Sequence, residues 1–393
     1  CLKVYTVKSQ FSELCDEIAN ATDSYEMDRD YAYDSGSLLI SKETPFTLNG
    51  NGHTIEGLTG ENIFTVDSKD IVIINNLTFK DCFNTTLIVQ SEAVLNNVTF
   101  INCTGIDYFL SVDGDKKVEL NDCVFKMGNG HDIALYSTAE ITVRNCLFEG
   151  GEFDLGAVYV NKVPLTVENT TFRNIKSGYA SAINYKGGNL TIRNSKFINL
   201  HAGLTGGAII AKYFTNYDKE GEKEISSNPF VIENCEFRNL TSTSNGGAIY
   251  LDLNSASHHF NLTLNLNNDT FVDCKSKFGG AICDLGGILN ITNCTFKDNH
   301  ADFEGGAIYT SWAHLTLNDT DIINNSAEMN AGAIYFDKGK LTIENSNLTG
   351  NKAAKEAVNV ANAIYANDVD AAISKSTFEN GGIGLYANFA GNS

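Results

Sequence analysis

Seven tyrosines follow the second strand of a repeat, Tyr136, Tyr159, Tyr250, Tyr309, Tyr335, Tyr365 and Tyr386, five of them directly after Gly-Gly-Ala-Ile or a weaker form of it. Alternate residues of an extended strand share a face, so with Ile308 pointing inward, Ala307 and Tyr309 point outward together. A row of aromatic side chains beside alanines makes a flat surface on which a sugar or a protein partner could lie. The same row could instead shield the outside of a sheet. These seven are the candidate binding residues, and the sequence leaves both roles open.

Thiols and acids are the other chemistry-bearing groups. Of ten cysteines, Cys82 and Cys103 occupy one register of a repeat, and Cys123 and Cys146 another. Equal register in neighbouring turns brings Cα atoms to ~4.8 Å, which a disulfide permits and which an unlinked column of small buried thiols fits equally well. No Cys or His spacing suits zinc, so no metal centre of that kind is expected. The run DKEGEKE at 218–224 could hold calcium weakly, although such runs are more often solvated loops. No other cofactor is implied. For sugar hydrolysis two carboxylates must face one cleft. His53, His131 and Asp132 lie in Gly-rich turns, the acids are scattered, and no Asp–Asp pair on adjacent repeats and no Arg and Lys two apart stand out. No catalytic residue is therefore named.

What must position these groups is a repeat. The phrase Leu-Thr-Ile-x-Asn-x-x-Phe recurs with its last residue at Phe79, Phe100, Phe125, Phe148, Phe172, Phe197, Phe237, Phe271, Phe296, Ile322, Leu348 and Phe378. Apolar residues five and seven positions before each anchor give period-two alternation, a strand with one buried face. Three residues before the anchor stands Asn in nine of the twelve copies. Asn tolerates left-handed backbone, so this column predicts one bend repeated turn after turn. A period in the twenties built from short strands, Asn bends and Gly turns predicts an all-β, parallel β-helix of about 12–13 coils.

Residues 1–47 read as an N-terminal cap and first coil, with Phe11, Leu14, Cys15 and Ile18 on one helical stripe that covers the open edge. Residues 48–393 read as the β-helix, with loop insertions near 213–229 and 252–261. Cys1 could be a lipidation site, but it runs straight into the strand-like LKVYTV without a tether, so it is expected to be a boundary of the given stretch. No comparable cap closes the C-terminus, so a continuation past residue 393 is expected. A net charge of −20 disfavours nucleic acid and anionic lipid as partners. No apolar stretch is long enough to span a membrane. Fifteen Asn-x-Ser/Thr sequons, among them Asn84, Asn189, Asn261 and Asn347, are glycan acceptors only where they fall on loops outside the bend column.

The block FSELCDEIANATDSYEMDRDYAYDSGSLLISKETPFTLNGNGHTIEG at 11–57, followed by LTIRNSKFIN and GGAIY, resembles the adhesin-like surface proteins of methanogenic archaea. The paired GGAI and Phe-x-x-Asn phrases resemble the repeats of chlamydial polymorphic membrane proteins, with Phe296 to Asn299 the one clean copy in the correct place. The resemblance spans essentially the whole chain. It implies a right-handed β-helix, secreted and displayed at a cell surface, with an attachment role, and says nothing about the ligand. A glycan or protein of another cell, met along the repetitive lateral face, is the expected partner. A carbohydrate-active enzyme and a purely structural spacer are the rival expectations.

Overall fold

The computed structural model describes residues 8–60, 63–104, 108–128, 131–212, 229–252, 263–354, 362–379 and 386–388. The two expected insertions fall almost wholly outside the described residues, as does the acidic run 218–224. The described chain is an all-β parallel solenoid of about 13 turns with a single helix. It groups into two compact units, 1–166 and 167–393.

In the first unit each strand pairs in parallel with its counterpart one repeat away. Val72–Asn75 pairs with Ala93–Asn96, which pairs with Val118–Asn121. Alternation sets the faces: Val118 and Leu120 are buried while Glu119 and Asn121 turn outward. The anchor phenylalanines superpose along the core, with ring centroids 5.2 Å apart for Phe79–Phe100, 4.9 Å for Phe100–Phe125 and 4.5 Å for Phe125–Phe148. The helix α1 (Phe11–Asn20) buries Phe11, Leu14 and Ile18 and packs on the strand Leu38–Ile40. Cys15 is only half-buried, at the edge of the stripe. Ser12 donates its amide and hydroxyl to Asp34 at the start of α1, and the Lys42 ammonium donates to the carbonyls of Ile18 and Ala21 at its end, so both helix termini find partners.

The second unit repeats the pattern. Phe172, Phe197, Phe237, Phe271 and Phe296 stack at 4.6–5.2 Å with planes within 5° of parallel. Such contacts are worth roughly 0.5–1.5 kcal/mol each beyond the area they bury.

All twelve residues of the Asn column have positive φ, from +48° at Lys375 to +57° at Asn268. For an L-residue this conformation costs roughly 1–2 kcal/mol, least for Asn and Asp, which explains the composition of the column. The side chains also link the turns: Asn97 donates to Asn76 at 2.8 Å, and Asn268 to Asn234 at 2.7 Å. A second left-handed column, two residues after the anchor, was not read from the sequence; it includes Asp81, Asn102, Asn174, Asn199, Asn239, Asp273, Asp298 and Asn324.

The Gly-Gly-Ala-Ile phrase has a separate cause. Gly246 has φ +62°, and a Cβ on the following Gly247 would overlap the carbonyl oxygen of Gly280 in the next coil. Ala307 and Ile308 then both donate to the carbonyl of Ala333, at 3.0 Å each. Two consecutive amides on one acceptor mean that the chain is kinked there, and the extended strand starts only at Ile308 (Ile308–Asn318).

Candidate functional site

That kink corrects the expected geometry of the tyrosine face. Ala307 is fully buried in the turn and does not share an exposed surface with Tyr309. Nor do the seven tyrosines form one strip. Tyr136 stacks on Tyr159 at 5.7 Å in the first unit, joined by Tyr108 at 4.5 Å, a member absent from the repeat phrase. In the second unit Tyr250 is only 7% exposed, packed among Ala180, Ile210 and Cys283. Cys283 holds the next place in the column, between Tyr250 and Tyr309. Beyond it Tyr309, Tyr335 and Tyr365 are half-buried and form a regular ladder, centroids 5.0 Å apart and planes within 5°. The Tyr386 backbone continues the register beside Tyr365.

Stacking at this distance uses the ring faces on one another. The Tyr309–Tyr365 ladder therefore offers solvent a line of ring edges and phenol hydroxyls, repeated once per coil, in place of the flat aromatic strip expected. One side of the ladder is walled by the Phe278 ring, which meets Tyr309 edge-on at 5.4 Å and stacks on Phe303 at 5.3 Å. Glu304 lies on this side and accepts a hydrogen bond from the Asn330 amide at 3.2 Å. Burial pushes its carboxyl up, the Asn330 bond opposes this, and the charge of Asp337 adds to it. On the other side the strands present Ser311, Asp337 and Asn367 in register, with Asn367 donating to Asp337 at 2.7 Å. The result is a row of phenols between two polar, acid-bearing margins.

The cysteines prove to belong to a wider polar ladder inside the bends. Two residues before the anchors of the second unit come Thr170, Ser195, Cys235, Asp269, Cys294, Thr320, Ser346 and Ser376. A hydroxyl or thiol here donates to the carbonyl two residues back, as Ser195 does to Arg193 at 2.7 Å and Cys294 to Thr292 at 3.2 Å. Its lone pair accepts the amide of the preceding coil: Thr170 N–H to Ser195, Cys294 N–H to Thr320, Ser346 N–H to Ser376. This is where amides turned out of the sheet by the bend find a partner. Asp269 is the variant member, accepting from Cys235 N–H at 2.7 Å and Asn267 N–H at 3.1 Å. In the first unit Cys123 and Cys146 take this position, directed at the carbonyls of Asn121 at 3.4 Å and Arg144 at 3.1 Å, and Cys82 and Cys103 are placed likewise on adjacent coils at a different register. All four cysteines are buried. Three residues after the anchors Asn299, Asn325 and Asn351 form a buried counterpart: Asn325 Oδ1 accepts both the amide and the side chain of Asn299 at 2.9 Å.

Two expectations about acids need correction. Asp273 and Asp298 do share a register on adjacent coils, because Val272 pairs with Lys297. Both are exposed bend residues at φ +56°, so they face no cleft. A buried acid also escaped the pattern: Asp284 points into the core, where Thr310 donates to it at 3.4 Å and its Oδ1 has no partner. His53 is bound to Asp30 at 3.1 Å, a structural contact near the cap. His131 and Asp132 have backbone in the strand His131–Ser137, and their side chains lie outside the described residues. Among the described residues no three His, Cys, Asp or Glu side chains converge as a metal site requires, and no helix is long and apolar enough to cross a membrane.

Residues 46–208 match the model of the right handed beta helix region, and residues 293–311 match the Chlamydia polymorphic membrane protein repeat. The second match contains Phe296, Asn299, Phe303 and Tyr309. A metabotropic glutamate receptor-like protein P of Dictyostelium discoideum is 26% identical over 230 residues, 53% of this chain. The match spans only 15% of that protein's length. Among solved structures, the A-module of a mannuronan C-5 epimerase from Azotobacter vinelandii overlays with TM-score 0.37 at 11% identity, covering 97% of this chain and 95% of that one. A PL6 family alginate lyase overlays with TM-score 0.14 at 10% identity, covering 95% and 88%. The chain is thus a right-handed parallel β-helix that carries a repeat of the chlamydial polymorphic membrane protein type.

Proposed function

We propose that this is an adhesive β-helix displayed outside the cell, which attaches to a glycan or protein of another cell along the lateral face of residues 167–393. One observation carries the reading: Tyr309, Tyr335 and Tyr365 repeat the same half-buried phenol at 5.0 Å, once per coil. A partner with its own repeat meets the same contact several times, and weak contacts in register add through effective concentration. The residues that match the polymorphic membrane protein repeat include Tyr309. The resemblance of the opening block to archaeal adhesin-like proteins points in the same direction.

The test is a glycan array probed with the wild-type chain and with a Tyr309→Ala, Tyr335→Ala, Tyr365→Ala variant. The proposal expects discrete binding by the wild type and loss in the variant. Equal binding by both sinks the role of the ladder. A second reading, a carbohydrate-active enzyme, is favoured by Glu304, whose carboxyl is raised chiefly by burial and further by the charge of Asp337 across the ladder, as suits a general acid. Release of sugar products that stops in Glu304→Gln would replace the adhesive reading with that one. Silence in every assay would favour the spacer.

A further inference from the structure

Trp312 is the only tryptophan of the chain, and it is 62% exposed. It stands three residues beyond Tyr309, at the bend that closes the tyrosine face, with φ +56°. A bulky L-residue in that conformation is an outlier, and nothing in the bend demands it. The equivalent positions of neighbouring coils carry Gly286, Lys338 and Asp368, all at positive φ. An aromatic ring held in strained backbone and left in water calls for a cause other than packing.

The surroundings of the ring supply one. Leu285 pairs with Ser311 and Gly287 with Ala313, so the residue level with Trp312 in the preceding coil is Gly286. Among the described residues, the level position of that coil therefore offers no side chain to the indole. In the following coil the level residue is Lys338, whose ammonium lies over the ring at 4.4 Å from its centroid. One face therefore meets a cation, and on the side of the preceding coil the level residue is a glycine. The margin beside it carries Ser311 and Asp337.

The geometry points to the free face of Trp312 above Gly286 and Gly287 as a stacking subsite for one uncharged pyranose ring of a glycan. The assignment rests on the adhesive reading and gives it an anchor. A pyranose has an apolar C–H face for the indole and a rim of hydroxyls for Ser311 and Asp337. The tyrosine ladder, its ring faces spent on each other, cannot supply such a stack. Asp337 and a chain charge of −20 disfavour uronate rings at the same place.

Because no other tryptophan is present, intrinsic fluorescence reads this subsite directly. The full chain is titrated with uncharged glucan, mannan and chitin hexasaccharides, with an oligouronate, and with a proline-rich peptide. Binding is followed in parallel by calorimetry, and Trp312→Gly serves as the variant because glycine suits the left-handed bend. The expected result is a saturable change in Trp312 emission with at least one uncharged hexasaccharide, at least tenfold weaker binding in Trp312→Gly with an unchanged circular dichroism spectrum, and at least tenfold weaker binding of the oligouronate. Saccharide binding that leaves the emission unmoved and survives Trp312→Gly overturns the subsite while the adhesive reading stands. An emission change with the peptide but with no saccharide overturns the sugar assignment. Absence of binding to any saccharide, by emission, calorimetry or array, overturns the subsite together with the glycan form of the reading.

Discussion

Two buried acids should make the second unit less stable as the pH rises. Asp269 and Asp284 are both pushed from 3.8 up to about 7, in each case chiefly by burial and against hydrogen bonds to the carboxylate. In the unfolded chain they ionise near the ordinary value, so between about pH 4 and 7 the folded state binds the extra proton. Stability therefore falls with rising pH across that window and levels off above it. At ~1.4 kcal/mol per pH unit, each acid costs the folded state roughly 4 kcal/mol at pH 8. Asp269→Ser, which places at this position the residue found at 195 and 346, and Asp284→Leu, which copies Leu251 of the preceding coil, remove the terms separately. Thermal unfolding at a series of pH values is the assay. At ~2–4 °C per kcal/mol for a unit of this size, each variant should melt roughly 5–15 °C above the wild type at pH 8, with the gap closing toward pH 4. The general repulsion of a chain with net charge −20 also changes with pH, but equally in all three proteins. A wild type and variants with parallel melting profiles would refute the reasoning.

Other substitutions probe the remaining devices. Gly247→Ala drives a Cβ into the carbonyl of Gly280 and should cost roughly 1–3 kcal/mol or more, seen as a lowered melting temperature. Asn325→Leu leaves the buried Asn299 backbone amide without its acceptor and its side chain with only the Phe271 carbonyl, and roughly 1–3 kcal/mol should be lost in denaturant titration. Cys294→Ser should change stability by less than about 1 kcal/mol, since serine fills the same ladder at 195 and 346, whereas Cys294→Val strands the Asp269 amide and should cost roughly 1–3 kcal/mol.

The coil, its strands and its first bend were legible because each depends on a local rule repeated many times. Period two at Val118–Asn121 and the Asn at 76, 97 and 145 state their geometry without help from distant residues. The polar ladder was half-legible: Cys123 and Cys146 shared a register, but only the coordinates equate cysteine with the Ser and Thr of other coils through the amide each accepts. The candidate site was least legible. Repetition drew attention to the tyrosines and away from Trp312, whose meaning comes from being unlike its neighbours Gly286 and Lys338. That Tyr250 would be buried depends on Cys283 and Ile210, residues in other coils, and alternation along a single strand carries no such information.

The central claim, a lateral face that reads a repeating partner coil by coil, is tested most directly by affinity against ligand length. Immobilised uncharged oligosaccharides of increasing size are presented to the full chain, and to the chain with Tyr309, Tyr335 and Tyr365 changed to Ala, at fixed salt. The account predicts affinity that climbs with each added sugar until the coils bearing Trp312 and the tyrosine ladder are spanned, then levels off, with the climb abolished in the variant. Affinity independent of length, or the same climb in both proteins, would contradict it.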